Sequence, residues 1–66
     1  NSEEVVTTVD IDHPFYVKDK GFVTAGELKI GDELLDANGN VLLVENFDVV
    51  GLSIILDTII KKFDRR

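Results

Sequence analysis

His13 is the one side chain in this 66-residue sequence suited to moving a proton near neutral pH. It sits in Asp10-Ile11-Asp12-His13-Pro14-Phe15, with carboxylates one and three residues before it. Adjacent residues of a strand point to opposite faces, so Asp12 does not usually face the imidazole. Read without other information, a histidine in this position is a half-buried or surface residue that ends a strand. A nucleophile to go with it is hard to find. The sequence has no cysteine, and Ser2 stands only eleven residues upstream. A single histidine and no cysteine also give no metal cluster, no disulfide and no evident cofactor site.

The other acidic residues are scattered. Asp36-Ala37-Asn38-Gly39-Asn40 has a faint look of a calcium loop. A calcium-binding hand needs glycine at its sixth position and glutamate at its twelfth, whereas here glycine is fourth and Phe47 twelfth. A hairpin is the better reading of this stretch. Gly21, Gly26, Gly31 and Gly39 are too widely spread for a phosphate-cradling loop and read as turn residues.

These residues need a scaffold. Glu4–Val9 is rich in β-branched side chains and predicts a strand. Asp10–Pro14 ends it, Phe15–Val17 begins a second strand, and Lys18–Gly21 turns into Phe22-Val23. Thr24–Leu28 reads as a tight turn or a single helical turn, and Lys29–Asp32 as another turn. Glu33–Asp36 and Val41–Val44 then form a hairpin, with Asn38-Gly39 as its two-residue turn. Beyond Gly51 the spacing changes. Leu52, Ile55, Leu56, Ile59, Ile60 and Phe63 recur three and four residues apart, which predicts one face of an amphipathic helix, with a strand as the alternative because of the isoleucines. The expected architecture is a mainly β module over residues 1–50 followed by an amphipathic, helical segment over 51–66.

Charge narrows the partners. Residues 1–57 carry twelve acidic and three basic side chains, and residues 58–66 carry four basic and one acidic. An acidic body is a poor match for nucleic acid, whose phosphates call for clustered lysine and arginine. No apolar run approaches the ~18 residues that a membrane-spanning helix needs. The six apolar residues of the 52–63 pattern suggest an interface, and so small a β body predicts a homo-oligomer.

Taken in order, His13-Pro14-Phe15-Tyr16-Val17, Lys20-Gly21-Phe22-Val23, Ala25, Leu28, Gly31-Asp32, Leu34 and Asp36-Ala37-Asn38-Gly39 resemble the Hint domains of bacterial polymorphic toxins and intein-like proteins. The resemblance covers about residues 5–48. It implies a horseshoe of short strands and an autoprocessing chemistry. In that chemistry a leading cysteine or serine attacks the preceding peptide carbonyl, giving a thioester or ester. By family position His13 is the histidine that polarises and protonates the scissile peptide. Asp10 replaces the threonine that precedes that histidine by three, and an ionised carboxylate cannot donate the hydrogen bond a hydroxyl would. With no cysteine and this replacement, the expectation is a Hint segment that does not cleave itself and acts as a structural or association module. The alternative is a split element lending His13 in trans to a separate cysteine-bearing half. A third reading is a small binding module whose Hint likeness is only ancestral. The resemblance further implies an attached toxin segment and a secreted or cell-surface bacterial parent protein.

Overall fold

The fold was obtained as a computed structural model and is described for residues 2–61. Six antiparallel strands form one sheet: β1 (Ser2–Asp10), β2 (Pro14–Val17), β3 (Gly21–Thr24), β4 (Glu33–Leu35), β5 (Val41–Val50) and β6 (Ser53–Lys61). Their order across the sheet is β1-β6-β5-β4-β2-β3. The long strands β1, β6 and β5 make one half. The short strands β4, β2 and β3 make the other, and a single register pair, Val17 with Leu34, joins β2 to β4.

Turn chemistry sets these boundaries. Pro14 lacks an N–H and opens β2 opposite Thr24. The Lys18–Lys20 turn uses a left-handed Asp19 (φ 71°) and Gly21 (φ 89°). After β3, Ala25–Glu27 form one 3-10 turn. The core gathers Val17, Ala25, Leu28, Leu34, Val44, Ile54 and Leu56, which come from both halves of the sheet. The two halves are stitched by backbone as well. Val44 N–H donates to Asp32 O and Gly31 N–H to Val44 O, each at 2.9 Å, while Gly26 N–H donates to Ile11 O at 2.9 Å.

Two expectations are corrected. The amphipathic helix over the C-terminal segment is strand β6; no α-helix occurs among the described residues. Burial alternates along it, with Ile54, Leu56 and Thr58 inside. That is a period of two, not the 3.6 of a helix. The helical spacing arose because β6 lies between β1 and β5 and carries apolar side chains on both faces. Its β-branched residues, Ile54, Ile55, Thr58, Ile59 and Ile60, favour the pleated surface. The proposed helical face of Leu52, Ile55, Leu56, Ile59, Ile60 and Phe63 is therefore divided. Leu52 is 81% exposed in the turn before β6, Ile55 and Ile59 point to one face, and Leu56 and Ile60 to the other. Phe63 lies outside the described residues.

The second correction concerns Asn38-Gly39. Asp36 and Asn40 close the loop, so Asn38-Gly39 is not a two-residue turn, and Gly39 alone of the pair has positive φ (83°). Gly39 N–H donates to Asp36 O and Asp36 N–H to Asn40 O, both at 3.1 Å, which makes a three-residue loop with glycine at its left-handed position. The Asp36 carboxylate organises this loop by accepting from the N–H groups of Asn38 and Asn40, both at 2.9 Å. A two-residue turn does occur among the described residues at Gly51-Leu52, with Gly51 at φ 63° and Val50 paired to Ser53.

Candidate functional site

The site centres on the rim where β1 ends and β6 begins. Asp10–His13 form a tight turn closed by His13 N–H donating to Asp10 O at 2.9 Å. Ile11 is held from two sides: its N–H donates to Leu52 O at 2.8 Å and its carbonyl accepts from Gly26. His13 O accepts from Ala25 N–H at 2.8 Å. The histidine backbone is thus fixed by β1 on one side and by the 3-10 turn on the other.

The imidazole is exposed. It meets Phe15 edge-on, with ring centroids 4.8 Å apart and planes at 62°. Neither it nor the Asp10 carboxylate makes a side-chain hydrogen bond among the described residues. The structure therefore brings the two predicted residues together through backbone, not as an imidazole–carboxylate pair. Register places hydroxyl side chains at this end too, Ser53 opposite Asp10 and Thr24 opposite Pro14. Chemically, the rim offers a solvent-facing proton carrier beside acidic side chains.

Pro14 and Phe15, next in the chain, line an apolar groove of about 560 Å³. Tyr16, Phe22, Leu34 and Leu42 complete much of its wall. Tyr16 and Phe22 stack edge to face at 5.1 Å, and Phe22 is 74% exposed.

Several motif residues have structural work. Burial pushes the Asp32 carboxyl up, but the Lys29 N–H at 3.0 Å and the Lys20 ammonium at 3.0 Å outweigh it and hold it below its usual range. The N–H groups around Asp36, that of Asn40 first, overcome its burial and likewise hold its carboxyl low. Asp36 is thus engaged by backbone donors, in keeping with a hairpin and not a calcium loop. Among the described residues no cluster of three or more His, Cys, Asp or Glu side chains could hold a metal ion. No helix there is long and apolar enough to cross a membrane.

Sequence reasoning missed one acidic pair. Glu4 on β1 and Asp57 on β6 are diagonal neighbours, since Glu4 pairs with Ile59 and Val6 with Asp57. A hydrogen bond to Asp57 raises the Glu4 pKa, helped by the Asp57 charge, some burial and the Glu45 charge. Asp57 Oδ1 is buried and has no hydrogen-bond partner among the described residues. No sequence signal links residues 53 apart; only the strand pairing does.

The motif order now has a physical account. Val17, Ala25, Leu28 and Leu34 are the core, Gly21, Gly31 and Gly39 take positive φ, and Asp32 and Asp36 fix turns. No curated protein and no solved structure matches the chain. The pretoxin Hint domain family matches residues 1–56, most of the sequence. This chain belongs to the pretoxin Hint domain family.

Proposed function

We propose that this chain is a Hint-domain segment that does not cleave itself and serves as a structural and association module. The observation that carries this reading is the state of the rim. His13 keeps the family position, yet it stands exposed beside Asp10 where the family has threonine, and the 66 residues contain no cysteine. Without a cysteine, and with Ser2 only eleven residues upstream, the acid–base residue has no well-placed nucleophile whose acyl shift it could assist. The rigidly held His13 backbone and open imidazole favour one second reading, in which His13 serves in trans a cysteine-bearing half carried elsewhere.

Intact mass after prolonged incubation with excess thiol tests the first reading. An unchanged mass is expected, and a product with a single backbone break would overturn it. Mixing the chain with a cysteine-bearing Hint half tests the second. Cleavage that appears on mixing and disappears with His13→Ala would establish it and displace the first reading.

A further inference from the structure

The sheet has two edges, and they differ. β3 is four residues long and carries Gly21. β1 is nine residues long, and its centre, Val5-Val6-Thr7-Thr8-Val9, is uncharged and wholly β-branched. Short edges are protected by their length, whereas a long regular edge presents a row of backbone donors and acceptors to another strand. We propose that the outer edge of β1 pairs antiparallel with β1 of a second copy of this chain, about a twofold axis at Val6. This rests on the association part of the proposed function and names its partner and surface.

The direction of the backbone groups follows from the pairing with β6. Ile11 N–H points to Leu52 O, and the β1–β6 register runs without a shift from there to Ser2. Backbone groups of successive residues alternate sides in an antiparallel strand. Residues 3, 5, 7 and 9 therefore turn theirs towards β6, and Glu4, Val6 and Thr8 turn theirs outward. The Thr58 hydroxyl donating to Val5 O at 3.0 Å agrees with this parity.

Charge selects the register. Centring the twofold on Glu4 would set Glu4 against its own copy. Centring it on Thr7 would set Glu4 against Asp10. Like charges directly opposite are unfavourable. Centring it on Val5 leaves Val9 and Asp10 without partners within β1. Only centring on Val6 pairs all nine residues while placing no acid opposite an acid: Glu4 meets Thr8, Glu3 meets Val9 and Ser2 meets Asp10. This register also makes Val6, Glu4 and Thr8 the hydrogen-bonded positions, which the outward backbone groups require. Val6 is 62% exposed in the single chain and would pack against Val6 of the second copy. Such a closed, self-complementary contact uses up the open edge of both copies. Each copy carries a net charge of −6, so added salt should tighten the pairing.

Thr8 is exposed, and it supplies the test. Thr8→Glu places a second carboxylate opposite Glu4 of the other copy, twice by symmetry. Thr8→Lys places an ammonium there instead. Sedimentation equilibrium on the full 66-residue chain at tens of micromolar reads the mass, and circular dichroism confirms that each variant keeps the β signature. The expected result is a dimer that Thr8→Glu weakens and Thr8→Lys tightens, each by about tenfold in Kd. A dimer indifferent to both changes would overturn pairing through β1 and leave association through another face, the Phe22 groove being the alternative read by Phe22→Ser. A monomer at every salt concentration would overturn both the pairing and the association reading.

Discussion

Glu4 and Asp57 are diagonal neighbours across the β1–β6 ladder, and the Asp57 carboxylate raises the Glu4 pKa. This shift makes folding depend on pH. The Glu4 pKa is raised in the folded chain, so its contribution is present below the ordinary carboxylate value and is lost as pH rises through the raised value. Asp32 and Asp36 act in the opposite sense. Their contributions are present above the ordinary value and lost as pH falls through the lowered ones. Stability should therefore be highest around the ordinary carboxylate range, with a decline above it from Glu4 and a fall below it from Asp32 and Asp36. Urea midpoints from pH 3 to 7 measure the profile (about four units of pH, spanning carboxylate titration). Asp57→Asn should flatten the decline; a decline unchanged in that variant would remove the pair as its cause.

Gly26 is held against Ile11. A Cβ at Gly26 would lie 2.8 Å from Ile11 Cγ1, closer than packed carbons approach. Gly26→Ala should cost about 1–3 kcal/mol, the usual range for overpacking. Because the clash is with one side chain, Gly26→Ala combined with Ile11→Ala should cost less than the two changes added separately. Strict additivity in a double-mutant cycle would show that the strain lies elsewhere.

Strand β6 makes an opposed pair of predictions for adjacent residues. Leu56 is 1% exposed, and Leu56→Ala should cost about 2–5 kcal/mol. Ile55 is 36% exposed on the other face, so Ile55→Ala should cost clearly less. On a helical face the two neighbours would behave alike. Chemical denaturation of both variants distinguishes the two geometries.

His13→Ala should change stability by less than about 1 kcal/mol, since the imidazole is exposed and its contact is the edge of Phe15. The midpoint of urea unfolding checks this. A larger loss would mean that the imidazole holds the rim together, and would weaken its reading as an inherited chemical group.

Much of the strand layout was legible because turns are local. Pro14, Gly21 and Gly31 fix their neighbourhoods through φ and missing donors, whatever the rest of the chain does. The Hint likeness was legible for the same reason, its motif being mostly turn and core residues. Strand β6 was not, because a strand with apolar residues on both faces loses the alternation that marks a half-buried one. Gly51-Leu52 held the missing clue, a glycine placed for a two-residue hairpin between two apolar runs. At Asn38-Gly39 the dipeptide pointed to the wrong turn, since the neighbouring Asp36 carboxylate captures the loop amides first. The rim was half legible. His13 could be named from its neighbours, but its backbone anchors, Leu52 through Ile11 and Ala25 directly, come from distant parts of the chain.

The pairing of β1 with β6 also orders events in time. β5 and β6 are joined by two residues and can pair as soon as both exist, within microseconds for an ordinary hairpin. β1 must wait for a partner on the far side of the chain, and the Val5–Thr58 contact closes a loop across 53 residues. Of the six described strands β1 is made first, and β6, which covers its inner edge, is made last. Among these strands its uncharged, β-branched centre waits longest for its partner, and a helper that shields strands would meet the chain there.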